Sequence, residues 1–425
     1  MTNVRNLVIA RNGSPSTVVL VLATAFVLAL AASSAAQAQT FSVLHSFTDT
    51  ATDGGYPSAG VSIRGGALYG TTQEGGNSCG NGHRCGTVYQ VSKVGSNWVT
   101  MPIFLFPTSG SGGIYPIARV VFGPDGHMYG TTSYGGASND GVVFSITPPL
   151  TFCKTVACFW TETLPHTFAG SPNDGAIPGH GELIWDQQGN AYGTTTQGGA
   201  PGYGGTVFQL TKAGNNWIEM PIYSFGLNGA PASGLVADSS GSLFGTTLSG
   251  GIGWGTVFML SWIPGVGWQE TTLYTFQGNG QPGRPYAGLT IDSSGNLYGA
   301  TNGDPISNST AAVFELSPSG NTYTFKQLYS FSCTGSCGPQ ADLTMDAVGD
   351  LYGTTFAAGL YSAGNVFKLA NTQNGWVYTS LHDFAGGNDG ALPISTVSID
   401  TDGTLYGTAS AGGQGGGGTV WMIKP

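Results

Sequence analysis

From residue 41 onward the chain is a succession of short stretches in which apolar and polar residues alternate, each closed by a turn rich in Gly, Asp or Ser. A period of two over four to eight residues marks a half-buried strand. The clearest copy predicts strands at residues 288–292, 297–301, 312–316 and 323–331. Between the first two lies Asp292-Ser293-Ser294-Gly295, a tight turn in which the Asp side chain bonds the following backbone and the Gly takes a positive φ. Residues 317–321, Ser-Pro-Ser-Gly-Asn, turn the chain between the last two. Four such antiparallel strands form one propeller blade.

The second strand carries a tetrad, Tyr/Phe-Gly-Thr/Ala-Thr/Ala, that recurs seven times, at Tyr69, Tyr129, Tyr192, Phe244, Tyr298, Tyr352 and Tyr406, and the last three intervals are each 54 residues. A unit of this size cannot bury its apolar face alone, so the copies must share a core, and their number sets the architecture. The expected fold is all-β: a seven-bladed β-propeller of four-stranded antiparallel blades. A glycine in mid-strand normally weakens a sheet, so the seven tetrad glycines imply a packing role, with Phe208, Phe258, Phe314 and Phe367 on the third strands as the aromatics needing the room. Residues 41–47 resemble the fourth-strand segment at residues 380–384, and the chain stops at Pro425 just after a third strand. The N-terminal strand is therefore expected to complete the last blade and leave no open edge.

The unit Asp-x-x-Gly-Asn-Leu-Tyr-Gly-Thr-Thr, then Gly-Gly, Gly-Thr-Val-Phe and Leu-Tyr-x-Phe, resembles the GloVer tandem repeat of exported bacterial proteins. The likeness covers essentially residues 41–425 and is closest from Asp292 to Thr301 and at Gly255-Thr256-Val257-Phe258. It implies a propeller-type repeat and brings no catalytic set with it. Members of that family are described by a choice of C-terminal anchors. No apolar tail or sorting segment follows Pro425, so a freely secreted form is expected.

Residues 1–38 stand outside the repeat. Arg5 and Arg11 precede an apolar run from Val18 to Ala32, and Ala36-Gln37-Ala38 offers a small-x-small cleavage site. This reads as a signal peptide, with an uncleaved anchor as the alternative, and leaves residues 39–425 as a single secreted or periplasmic domain without a membrane span. The mature chain has 10 basic and 22 acidic residues, a net charge of −12, which argues against nucleic acid as a partner. Only 8% of residues are charged and 71 of 425 are glycine, the composition of a chain built from tight turns. Six cysteines form three close pairs, Cys79 with Cys85, Cys153 with Cys158 and Cys333 with Cys337. In an exported chain this pattern favours three local disulfides, each worth about 2 kcal/mol. A metal reading of Cys79, His83 and Cys85 lacks a fourth ligand in sequence.

In such a fold the long, variable loops share one face, and the short Asp-x-x-Gly turns share the other. Just before the first strand of each blade stand Gly60, Arg119, Glu182, Gly234, Gly288, Asp342 and Thr396. Arg119, Glu182 and Asp342, with His180 alongside, are a candidate polar site at the channel mouth; the alternative is an Arg119–Glu182 ion pair between adjacent blades and a solvated Asp342. The long-loop face also gathers Asp53, Asp140, Asp174, Asp304 and Asp389 with Tyr134, Tyr203, Trp254 and Tyr361. Rings beside carboxylates suit sugars, although Asp-Gly is also an ordinary turn dipeptide.

Other motifs carry little. Gly76-Asn77-Ser78-Cys79-Gly80 spells a nucleophile elbow but lies in a hairpin, the run Gly415 to Gly418 precedes a strand, Asp400-Thr401-Asp402-Gly403 lacks the rest of a calcium loop, and the six histidines show no metal-ligand spacing. No metal or cofactor is expected. The expected function is a non-enzymatic binding or scaffold protein, a monomer that engages a polysaccharide or envelope protein through the long-loop face. The alternatives are a structural surface protein and, last, a glycan hydrolase or lyase using Glu182 and Asp342.

Overall fold

The computed structural model describes residues 39–425 apart from 81, 109–111, 150–159, 180, 201, 203, 228, 232, 305–308, 321 and 333–335. The expected signal segment, His180, Tyr203, Cys153, Cys158 and Cys333 lie outside the described residues. The packed unit runs from Phe41 to Lys424 and is a seven-bladed β-propeller, each blade a four-stranded antiparallel sheet. Among the described residues no helix is long and apolar enough to cross a membrane.

Blade 5 shows the plan, with strands Leu289–Ile291, Leu297–Asp304, Ser309–Ser319 and Thr322–Phe331 running from the channel outward. The third strand is longer than its alternation suggests. Pro318 stays in register opposite Tyr323, and the reversal is confined to a tight turn at Gly320, where φ is +62°. A proline is tolerated there because no ladder donor is needed from it. In blade 7 the strands Ser398–Ile399, Leu405–Ala409 and Thr419–Lys424 are completed by the N-terminal strand Thr40–Ser46. Phe47 locks this closure: its N–H donates to Gly418 O at 2.9 Å, its carbonyl accepts from Gly417 N at 3.0 Å, and its ring is fully buried against Tyr89 of blade 1.

Each residue of the tetrad has a separate task. The Tyr hydroxyl donates to the Asp of the preceding turn, as Tyr192 does to Asp186 at 3.0 Å. In blade 5, Asp292 Oδ1 accepts the backbone N–H of Ser294 and Asn296, and Oδ2 accepts Asn296 Nδ2 and Tyr298 OH, so one carboxylate builds the whole Asp-x-x-Gly-Asn-x-Tyr turn. Burial works against that charge, but the hydrogen bonds from Asn296, Ser294 and Tyr298 prevail and hold Asp292 below the usual carboxylate range. The Gly makes room for a ring from the third strand of its own blade: a Cβ would lie 2.5 Å from Phe208 at Gly193, 2.6 Å from Phe258 at Gly245, 2.5 Å from Phe314 at Gly299 and 2.7 Å from Phe367 at Gly353. Tyr89, Phe144 and Trp421 fill the same place at Gly70, Gly130 and Gly407.

The first Thr bonds the next blade, as Thr246 Oγ1 to Ala287 O at 2.8 Å and Thr408 Oγ1 to Ala59 O at 2.9 Å across the closure. The second bonds the third strand within its blade, as Thr247 to Thr256 at 2.8 Å. Between blades the core is a series of apolar layers, for example Phe244, Val257 and Phe276 of blade 4 against Leu297, Phe314 and Leu316 of blade 5. Cys79 and Cys85 form a disulfide, and Cys337 is also disulfide-bonded.

Candidate functional site

The residue entering each innermost strand faces the central channel, which is why three positions widely separated in sequence meet there. Arg119 of blade 2 and Glu182 of blade 3 form a two-pronged ion pair: Nη2 donates to Oε1 at 2.6 Å, and Nε donates to Oε2. Nη1 of Arg119 also reaches Ser398 of blade 7, at 3.3 Å. Burial opposes the guanidinium charge, but Glu182 more than offsets it and keeps Arg119 above its usual pKa. Asp342 of blade 6 accepts the backbone N–H of Gly288 at 2.5 Å. Burial, reinforced by Glu182 and opposed by Gly288 and Arg119, pushes its pKa up to about 6. The ion-pair reading is therefore right for Arg119 and Glu182, whereas Asp342 is a half-buried, backbone-bound carboxyl facing the channel. Arg119 and Glu182 keep about a quarter of their side-chain surface exposed, 23% and 25%, although they lie deep in the protein. That exposure is to the channel and not to bulk solvent.

The three charges divide the channel. Toward the long loops the space is only about 30 Å³. Toward the short turns it opens into a cavity of about 690 Å³, lined by innermost-strand residues such as Thr290 and Thr344 and by turn residues such as Asp292 and Asp346.

On the long-loop face a second arrangement emerges from the backbone. The residue before a proline in each entry loop is left-handed in six blades: Tyr56 (φ 55°), Tyr115 (58°), Ile177 (53°), Ala230 (45°), Arg284 (59°) and Leu392 (53°). This conformation costs a non-glycine residue about 1–2 kcal/mol. It is held from both sides: Tyr115 N–H donates to Cys85 O of the preceding blade at 3.0 Å, and its carbonyl accepts Ser133 N at 3.1 Å. The side chain at these positions varies among Tyr, Ile, Ala, Arg and Leu.

In blades 1 and 2 they carry tyrosines, and the rings join a continuous patch. Tyr115 meets Tyr134 edge-on at 6.1 Å and His83 at 6.3 Å. Tyr56, His83, Glu74 and Asp49 line an adjoining cleft of about 340 Å³. Tyr56 and Tyr134 are 43% and 39% exposed. Glu74 is held by His83 Nδ1 at 3.0 Å and by Arg84 N–H at 2.7 Å, while Asp49 Oδ1 is buried without a partner. Of the aromatics singled out from sequence, Tyr134 lies in this patch, and Tyr361 is exposed in blade 6. Trp254 is half-buried, its indole lying on the backbone at Gly278, where a Cβ would come within 2.1 Å of it. Tyr56, Tyr115 and Glu74 were not singled out, and His83 was read only beside Cys79 and Cys85 as a metal ligand; the repeated residue before proline is a signal that would have found the two tyrosines.

Most of the acidic residues noted on this face are engaged by the protein itself. Asp53 accepts Thr48 N–H, Gly54 N–H and His45; Asp174 accepts Ala169 N–H, Gly175 N–H and His166; Asp389 accepts Ala385 N–H and His382. Asp304 pairs with Arg284 at 2.6 Å. His166, Asp174 and Glu219 bring ligand atoms within 4.8 Å of one another.

The Gloeobacter/Verrucomicrobia repeat matches residues 31–163 and 252–425, more than half of the chain. The chain belongs to the Gloeobacter/Verrucomicrobia repeat family. No curated protein is similar in sequence. Among solved structures, one described as the extracellular domain of a hybrid two component system from B. thetaiotaomicron is 12% identical with a TM-score of 0.53, over 90% of this chain and 39% of that one. PorZ, a surface component of the type-IX secretion system of Porphyromonas gingivalis, is 15% identical with a TM-score of 0.48, over 85% of this chain and 46% of its own. A PL25 ulvan lyase is 10% identical with a TM-score of 0.49, over 88% and 94%. The chain thus spans less than half the length of the first two. At these identities the likeness concerns the fold alone.

Proposed function

We propose that this protein is an exported, non-enzymatic binding or scaffold propeller that recognises an extracellular glycan or glycan-bearing envelope component through its long-loop face. The observation that carries this reading is the patch of Tyr56, Tyr115 and Tyr134 beside Glu74, His83 and Asp49, held in place by strained backbone. Apolar sugar faces stack on such rings, and carboxylates accept hydroxyl protons. The left-handed backbone recurs in six blades, and in blades 1 and 2 the side chains it fixes are the exposed Tyr56 and the half-buried Tyr115. The channel carboxylates support binding over catalysis, because Glu182 is neutralised by Arg119 and Asp342 is bound to backbone. Export agrees with the N-terminal segment and with the Cys79–Cys85 disulfide. A second reading, a small polar ligand in the channel, is favoured only by the size of its cavity, about 690 Å³.

The test is retention of residues 39–425, which contain the whole packed unit, on a panel of soluble and insoluble polysaccharides, with product analysis of the same mixtures. Retention without products supports recognition. Products would restore the hydrolase or lyase reading, and no retention on any polymer would favour a structural role or a protein partner.

A further inference from the structure

Three histidines on outer strands, His45, His166 and His382, each meet a loop aspartate: Asp53 at 3.1 Å, Asp174 at 3.1 Å and Asp389 at 3.2 Å. In each case the aspartate also accepts backbone N–H groups, so the pair braces an entry loop. What differs is the residue that the next blade brings alongside. The strand register identifies the position: opposite Leu210 in blade 3, Leu316 in blade 5 and Leu369 in blade 6 stand Glu219, Phe325 and Tyr378. In blades 5 and 6 this residue stacks on the neighbour's ring, Phe325 on Tyr274 at 4.5 Å and Tyr378 on Tyr329 at 4.3 Å. At the closure Phe41 stacks on His382 at 3.6 Å. In blade 1 the position is Thr100. At His166 alone among these His–Asp pairs it is a second carboxylate.

Glu219 is not explained as packing. Its side chain is 95% buried, with 5% exposure; Oε1 has no hydrogen-bond partner, and Oε2 stands 3.8 Å from His166 Nε2. The same register carries a threonine in blade 1, aromatics in blades 5 and 6, and glutamates, Glu162 and Glu270, in blades 2 and 4, so the fold accepts either class there; what sets Glu219 apart is the His166–Asp174 pair beside it. An unsatisfied buried carboxylate is costly unless a cation or donors meet it.

We propose that His166, Asp174 and Glu219 form a binding site for a first-row divalent cation, Zn²⁺ being the best match, that clamps the outer strands of blades 2 and 3 together. The separations of 3.1 Å from Nε2 to Asp174 Oδ2 and 3.8 Å to Glu219 Oε2 bracket the roughly 3.3 Å edge of a tetrahedron with bonds of about 2.0–2.1 Å. One imidazole with two carboxylates supplies the mixed nitrogen and oxygen donors that such ions accept. Asp174 Oδ2 keeps its bond from Ala169 N–H, which orients the carboxylate as an outer-shell partner would. His166 and Asp174 retain 20% and 12% of their side-chain surface, leaving the fourth position open to water. The three ligands are spread over two blades, so no sequence motif marks them.

The experiment is titration of metal-free residues 39–425 with Co²⁺, followed by visible absorption, and with Zn²⁺, followed by calorimetry. One equivalent of Co²⁺ is expected to give tetrahedral or five-coordinate bands that Zn²⁺ abolishes. Glu219→Thr, which installs the blade 1 residue, is expected to weaken binding by about 100-fold or more, whereas His382→Phe should leave it unchanged. Glu219→Gln, similar in size but uncharged, guards against a packing defect, and metal-free melting curves confirm that each variant is folded. Absence of one-to-one binding, binding that survives both Glu219 variants, or equal loss in His382→Phe would overturn the proposal.

Discussion

Replacing Gly299 by Ala tests the packing logic of the tetrad at its cleanest copy. In the strand, Ala is intrinsically better than Gly by about 0.5–1 kcal/mol, so a glycine kept for no reason would give a stabilised variant. The new Cβ, however, would lie 2.5 Å from Phe314 Cζ, 2.9 Å from Leu289 Cδ2 and 3.0 Å from Phe314 Cε1. Phe314 is fully buried between blades and cannot swing away. Overpacking of this kind costs about 1–3 kcal/mol, and a contact as close as that at Phe314 belongs toward the upper end, leaving a net loss of up to about 2.5 kcal/mol. Phe314→Leu removes the far ring atoms that meet the new Cβ. The double variant should therefore lose less than the sum of the two single losses, by about 1–2 kcal/mol. The assay is denaturant unfolding of the four proteins under one buffer. Additive losses, or a stabilised Gly299→Ala variant, would refute the claim that the glycine exists to seat the ring.

Further outcomes are expected. Deleting residues 41–47 removes the fully buried Phe47 and the Phe41–His382 stack, about 3–5 and 0.5–1.5 kcal/mol. The melting temperature should fall by roughly 10 °C or more, and an unchanged melt would sink the closure by the N-terminal strand. Asp342 has its pKa raised from 3.8 to about 6, so the folded state holds its proton more tightly than the unfolded chain does. The stability linked to it is present below pH 4 and is lost as the pH rises through 6, amounting to about 2–3 kcal/mol by pH 8. Asp342→Asn should accordingly match the wild type at pH 4 and melt higher at pH 8; equal melting of the two at pH 8 would show that the channel carboxyl is not half-buried as described.

Much of the fold was legible because each tetrad residue acts locally. Tyr192 reports its own turn, Gly299 its own third strand, and Thr408 the next blade, so a repeat in sequence is a repeat of contacts. The closure was legible because strand position in the blade is marked by residue type at both ends. The channel charges were legible as a set, since Arg119, Glu182 and Asp342 occupy one repeat position, but the binding of Asp342 to Gly288 was not. Charge alone does not reveal whether a carboxylate meets water or a backbone N–H. The aromatic patch was only partly legible. Tyr56 and Tyr115 come together through left-handed residues before Pro57 and Pro116, a conformation that such residues rarely adopt and that tertiary hydrogen bonds impose. Glu219 reads as an ordinary polar residue on an outer strand, and only the twist of blade 3 against blade 2 sets it beside His166.

The most direct measurement is the affinity of a retained polysaccharide for the wild type, Tyr115→Ala and Asp342→Asn, with folding of each checked by its melt. If recognition lies on the long-loop patch, Tyr115→Ala should weaken binding by about tenfold, the equivalent of about 1.4 kcal/mol, and Asp342→Asn should leave it unchanged. Unaltered binding by Tyr115→Ala together with loss in Asp342→Asn would contradict this and place the ligand in the channel.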